Sequence, residues 1–303
     1  MPAAYLELFQ NPYMMRGFRP VPSRVAAIAR SVLELHNQTV NIWTHLFALA
    51  VFAGFLYETL AVDEFFAAHA TPAHRVAHAL FLLSVMYTFV VSVVFHSCNC
   101  HSVRTYERVA FLDFSGVFVI IVASTLACIY YGYACDPGLR TLYLTTAVLL
   151  YGVLSVAGVL TRVHWLRVAI AAFLTSVVPV TLLSLWTLHR GSVTQEVWVV
   201  GWKFLFGFLL YGMAFFFYTS KFPERWYPRL FDIFGASHQL WHVFGILAAF
   251  WQYHCLHFFY RYYFEDHETR CAAIHEEALY GSWWPQHYVY TWFDRLYETV
   301  GWV

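Results

Sequence analysis

Charge is what this 303-residue chain has least of: Asp, Glu, Lys and Arg make up 12% of it, 18 basic residues against 18 acidic. A soluble domain carries about 25% charged residues, so an ordinary water-soluble fold is excluded. The even balance leaves no basic surface, and no nucleic-acid partner is expected. Cysteine is also sparse. The six are scattered, the only close pair is Cys98-Asn-Cys100, and there is no CxxC. That excludes a zinc ribbon and a thioredoxin-type redox motif. The opening stretch "MPAAYLELFQNPYMMRGFRP" lacks a basic start followed by an apolar run, so no signal peptide is read there and the first apolar helix is expected to act as the targeting signal. Linkers rich in Ser, Gly or Pro are missing, as are repeats of solenoid period.

Apolar residues fill the space charge leaves, at 60% of the chain with a mean hydropathy of +0.54. A membrane-crossing helix needs about 20 mostly apolar residues. Seven such stretches are read near 39–60, 77–98, 109–133, 141–161, 167–188, 197–218 and 234–260. The expected fold is therefore all-α and polytopic. A segment 1–38 with a short amphipathic helix in "PSRVAAIARSVLELH" precedes a seven-helix membrane domain 39–260, and an aromatic tail 261–303 follows. Lys and Arg of the connecting loops set the orientation. Arg16, Arg19, Arg24, Arg30, Arg104, Arg108, Arg162, Arg167, Lys221, Arg225 and Arg229 fall on one side, the larger group. This places the N-terminus in the cytoplasm and the C-terminus outside or in a lumen, opposite to a G protein-coupled receptor. Cys135 and Cys271 would share the outer side, where a bridge between them is left open. Lys203, in the sixth stretch, is read as snorkelling to the outer interface.

The polar residues inside these stretches converge. "SHQLWH" puts His238 and His242 one helical turn apart, the spacing of HExxH, but Gln239 stands where the protease motif has Glu. Taken alone, the pair is either two satisfied core histidines or half of a metal site. The second stretch ends with His96, with Ser92 one turn earlier on the same face. The third starts on the same side, with Asp113 about one turn in. Seven crossings bring Ser92, His96, Asp113, His238 and His242 to one depth. Three imidazoles suit Zn²⁺, which takes nitrogen in tetrahedral geometry and, in catalytic sites, keeps its fourth position open. Asp113 is then either a direct ligand, closing the site, or a group behind it that holds and deprotonates water. Ser92 is a candidate hydrogen-bond donor to an oxyanion or a ligand. His45, with Asn41 and Trp43, is read as a packing element, and His254 and His257 as far from the site.

At these residues the sequence resembles the progestin and adipoQ receptor family, most closely its adiponectin-receptor branch. The resemblance runs from "GFRPVPS" to about Tyr260 through "NIWTHL", Ser92-x-x-x-His96, "LDFSG" with Asp113, "VVP" at 177–179, "KFPERWYP" and "FDIFGASHQLWHV". "KFPERWYP" and "SHQLWH" are also similar to a Golgi-resident branch that tethers a kinase. The resemblance implies seven helices with a cytoplasmic N-terminus and Zn²⁺ on His96, His238 and His242. It also implies Asp113 and Ser92 as the catalytic pair, and a lipid-filled cavity between the helices. The activity it implies is zinc-dependent hydrolysis of ceramide-like amides to sphingosine and free fatty acid. It further implies a membrane lipid partner (ceramide or free fatty acid), a protein hormone or cytoplasmic signalling partner, and residence in the plasma membrane or Golgi. The alternative is a non-enzymatic receptor or Golgi scaffold with a structural zinc. Oligomeric state is not legible. One departure stands out: the family's first motif has an acid where this chain has Gln38.

Overall fold

A chain buried in lipid must satisfy its backbone polar groups within each segment, which favours helices. In the computed structural model, which describes residues 11–19, 25–161, 163–175, 183, 186, 195–265 and 267–280, all regular structure is helical. A short α1 (Val25–Ser31) comes first, narrower than the amphipathic helix expected over 22–36. Then follow α2 (Thr39–Tyr57), a π-helical turn (Glu58–Val62), α3 (Glu64–His69), α4 (Pro72–Cys98), α5 (Val103–Gly132) and α6 (Pro137–Leu160). After these come α7 (His164–Thr175), α8 (Gln195–Ser220), α9 (Ser237–Phe264) and α10 (His267–Tyr280).

Local chemistry starts these helices one or two turns outside the apolar windows. Thr71 and His74 form a capping box with Pro72 at the first position of α4, the pairing that satisfies orphan N–H groups at both ends of the box. The Ser102 hydroxyl accepts from Thr105 N at 3.1 Å to start α5, and Asp63 accepts from Phe66 N at 2.9 Å to start α3. Apolarity shows where the chain meets lipid, whereas caps decide where the helix begins.

Among the described residues, five helical segments are long and apolar enough to cross a membrane: Thr39–Val62, Pro72–Cys98, Val103–Gly132, Pro137–Leu160 and Trp198–Ser220. Leu166–Thr175 is apolar but shorter. The remainder of the fifth expected stretch, including "VVP", lies outside the described residues, as does the tail beyond Tyr280. Helix α9 has 28 residues and falls short in apolarity rather than length. Its position explains this. It packs against α2, α4, α5 and α8, with Gln239 and His242 buried there. Lipid-facing positions on the outer helices are apolar and bare: Phe47, Leu80, Leu149, Val153, Leu205 and Leu209 are all exposed. Such a surface is tolerated only against lipid or a partner.

Helices α4 and α5 pair tightly because Gly116 has no side chain. A Cβ there would stand 2.8 Å from Val91 Cγ2 and 3.0 Å from Thr88 Cα. The close approach lets Thr88 Oγ1 donate to Gly116 O at 2.9 Å and draws the Ser92 and Asp113 turns together. At the far end of the bundle, a Cys135–Cys271 disulfide joins the end of α5 to α10, closing the question the spacing left open. Asp63 there takes His257 Nε2 at 2.7 Å and Arg261 at 3.2 Å. Lys203 is not free at an interface as the sequence pointed to: its ammonium lies 3.9 Å from the Phe258 ring centre and 4.5 Å from that of Trp202, a cation–π cage.

An apolar cavity lies between α5, α7, α8 and α9, lined by Ile121, Cys128, Leu174, Gly207 and Gln252 among others. Its lining includes none of Ser92, His96, Asp113, His238 or His242.

Candidate metal centre

Of the five polar residues, the three histidines cluster, and Asp113 and Ser92 stand beside each other. His96 lies in the last turn of α4 and is buried, and Ser92 is buried one turn before it. His238 and His242 occupy the first turns of α9, and Asp113 lies in the third turn of α5. The ligating atoms of His96, His238 and His242 all fall within 4.8 Å of one another. Asp113 is outside that set, with the Ser92 side chain beside its carboxylate.

The donor set fits a metal. Nε2 of His96 and Nε2 of His238 stand 3.3 Å apart; two nitrogens about 2.0–2.1 Å from one tetrahedral zinc would be separated by about 3.3–3.4 Å. The three rings sit at centroid separations of 4.9–5.1 Å, with interplanar angles of 55–69°. They fan around a common point rather than stack.

Two of the three rings, those of His96 and His242, are held from behind, which is what orients a ligand. His96 Nδ1 lies 2.7 Å from Gln38 Oε1. His242 Nδ1 is 3.4 Å from Thr44 Oγ1, and its ring stacks on His45 at 3.8 Å and 6°. Packing was the expected role for His45, and the structure makes its packing partner one of the three clustered imidazoles. Gln239, next to His238, instead ties the turn before α9: Gly235 N donates to its Oε1 at 2.6 Å and its Nε2 donates to Ile233 O at 2.7 Å.

The helix ends carrying the histidines are fixed by two buried charges that sequence reasoning missed. Arg19 donates to the carbonyls of His96 (2.7 Å) and Ser97 (3.0 Å) and to Asn99 Oδ1 (2.8 Å). A guanidinium thereby closes the negative end of α4. Glu224, fully buried, accepts from Ser237 N at 2.7 Å and from the Ser237 hydroxyl, placing a carboxylate on the positive end of α9. The signal for Glu224 was its place in "KFPERWYP"; nothing local marks Arg19.

His36 supports this arrangement in its neutral form. Its Nε2 donates to Ser31 O at 2.8 Å while its Nδ1 accepts from Gln38 N at 3.0 Å. Burial, and then the nearby Arg19 guanidinium, pull its pKa down to about 4. The folded state therefore binds this proton less readily than the unfolded chain. Stability should be unaffected above about pH 6.5 and fall progressively as pH drops from there toward 4, where the folded form also protonates. Thermal unfolding in detergent across that range checks this, with His36→Gln expected to flatten the slope.

Relatives match the same stretch. Residues 33–253 match the haemolysin-III related family. The chain is 29% identical, over 82% of its length, to the adiponectin receptor protein of Drosophila melanogaster, of which it spans 56%. It is 30% identical over 81% of its length to progestin and adipoQ receptor family member 3 of Mus musculus, covering 80% of that protein. It is also 30% identical over 80% of its length to the membrane progestin receptor alpha of Mus musculus, covering 71%. With its histidine cluster inside the matched region, the chain belongs to the haemolysin-III related family, within its progestin and adipoQ receptor members.

Proposed function

We propose that the chain is a seven-helix, adiponectin-receptor-like membrane protein that holds Zn²⁺ on His96, His238 and His242 and hydrolyses a ceramide-like lipid amide. The observation that carries this is the Asp113 carboxylate, which has the Ser92 side chain beside it and stands outside the three-imidazole cluster. A carboxylate drawn in as a fourth ligand would favour a closed structural site, whereas three imidazoles alone leave a coordination position open.

Zinc, when bound, supplies Lewis acidity toward a carbonyl and toward water. The chain supplies the rest. Asp113 accepts a proton from the attacking water as its oxygen bonds to the amide carbon, and returns a proton to the nitrogen as the C–N bond breaks. Ser92 holds the Asp113 carboxylate in place. The products are a free fatty acid and a sphingoid amine.

Orientation is supported from two directions. Lys and Arg favour a cytoplasmic histidine end. The Cys135–Cys271 bridge lies at the opposite end, while Cys98 and Cys100, at the histidine end, are not joined in a disulfide. Disulfides persist on the oxidising side of a membrane, which supports α10 on the outer or lumenal face, in the plasma membrane or Golgi system. A protein hormone would then meet the disulfide end, and a cytoplasmic signalling partner the histidine end.

Purified protein incubated with labelled ceramide, with zinc content measured in parallel, tests the reading. Turnover that stops on chelation and returns with zinc is expected. One bound zinc with no turnover on any ceramide would establish the alternative, a receptor or scaffold with a structural metal.

A further inference from the structure

Gln38 is 5% exposed and sits just ahead of α2. Its Oε1 meets two groups, Asn41 Nδ2 at 2.9 Å and His96 Nδ1 at 2.7 Å. Asn41 Nδ2 is a donor, so Oε1 is the face presented to both, and an amide oxygen can only accept. The proton of neutral His96 therefore belongs on Nδ1. That leaves the lone pair on Nε2, the atom 3.3 Å from Nε2 of His238.

An amide, unlike a carboxylate, has a second face. Turned over, Gln38 would offer an N–H to His96 Nδ1 and drive the ring proton to Nε2, where it would block ligation. Two contacts hold the accepting face in place. Gln38 N donates to His36 Nδ1 at 3.0 Å, anchoring the backbone, and Asn41 engages the same oxygen as His96.

We propose that Gln38 is a positioning residue for metal binding: its carbonyl selects the His96 tautomer whose Nε2 faces His238 and His242, and it does so without adding charge to the site. This rests on the metal reading of the three histidines.

The test uses full-length protein in detergent, with Zn²⁺ affinity measured by chelator competition and the His96 tautomer read from imidazole ¹⁵N shifts of the metal-free protein. Gln38→Met keeps the size and removes the acceptor; it is expected to weaken Zn²⁺ about 10–100-fold and to lower the metal-free melting temperature, because Asn41 Nδ2 and His96 Nδ1 lose a buried acceptor. Gln38→Glu, an acceptor with no donor face, is expected to restore wild-type affinity or exceed it. Metal-free wild type is expected to carry the His96 proton on Nδ1. Unchanged affinity in Gln38→Met, Gln38→Glu binding as weakly as Gln38→Met, or a wild-type proton on Nε2 each overturns the proposal. Should Gln38→Met fail to fold, Gln38→Glu and the wild-type tautomer decide. Wild type that binds no zinc defeats the metal reading, and the tautomer measurement then judges Gln38 by itself.

Discussion

Asp113→Asn is expected to keep zinc bound and to slow lipid amide hydrolysis by about 10²–10⁴-fold, the usual contribution of a positioned general base. The separation of the two effects follows from the geometry. The metal-facing atoms belong to His96, His238 and His242, so removing the Asp113 charge touches none of them. Asparagine keeps the shape and can still accept from Ser92, so the α4–α5 contact at Gly116 is undisturbed. What it loses is the ability to take a proton from water. His242→Ala provides the contrast, because it should lower both zinc content and turnover. Zinc stoichiometry measured beside ceramide turnover separates the two variants. Full turnover in Asp113→Asn would remove Asp113 from the mechanism, and loss of zinc in the same variant would make it a ligand.

The candidate site was legible because lipid makes polar residues conspicuous. Ser92, His96, Asp113, His238 and His242 each interrupt an apolar run, and buried ionisable groups there are costly enough to need a reason. Counting crossings then brought them to one depth. Five of the seven expected spans were legible to within about six residues, and the shifts at their starts have one cause. Hydropathy reports the lipid-facing stretch, whereas Pro72, Ser102 and Pro137 set where α4, α5 and α6 begin. Contacts made across long sequence distances were not legible. Cys135 and Cys271 are 136 residues apart, and Arg19 reaches a carbonyl 77 positions away. No periodicity encodes such pairs. Gln38 was legible only as a departure from the family's acid, since its bond to His96 depends on how α2 and α4 pack.

Glu224→Ala is expected to carry the largest stability loss, about 3–6 kcal/mol as two of its hydrogen bonds to a charged acceptor are forfeited at about 1.5–3 kcal/mol each. Glu224 is 0% exposed, and its oxygens hold Asn11 Nδ2 at 2.6 Å, Ser237 N at 2.7 Å and the Ser237 hydroxyl. All three partners are donors, so truncation leaves a helix N-terminus and a buried amide without an acceptor. Glu224→Gln should fall between wild type and alanine, because an amide can accept from some of these donors but must set its own N–H₂ against another. The loss should also reach the metal. Ser237 directly precedes His238, so fraying the first turn of α9 moves two of the three imidazoles at once, and zinc affinity should drop along with the melting temperature. Thermal unfolding in detergent, with and without saturating zinc, separates the two contributions. Added zinc should recover part of the lost stability, because a ligand that binds only the folded form shifts the equilibrium toward it. The exposed Glu64→Gln on α3 is the control, expected to change stability by no more than about 0.5 kcal/mol. A Glu224→Ala protein as stable as that control would show that α9 is fixed by its packing against α2, α4, α5 and α8 and not by its cap.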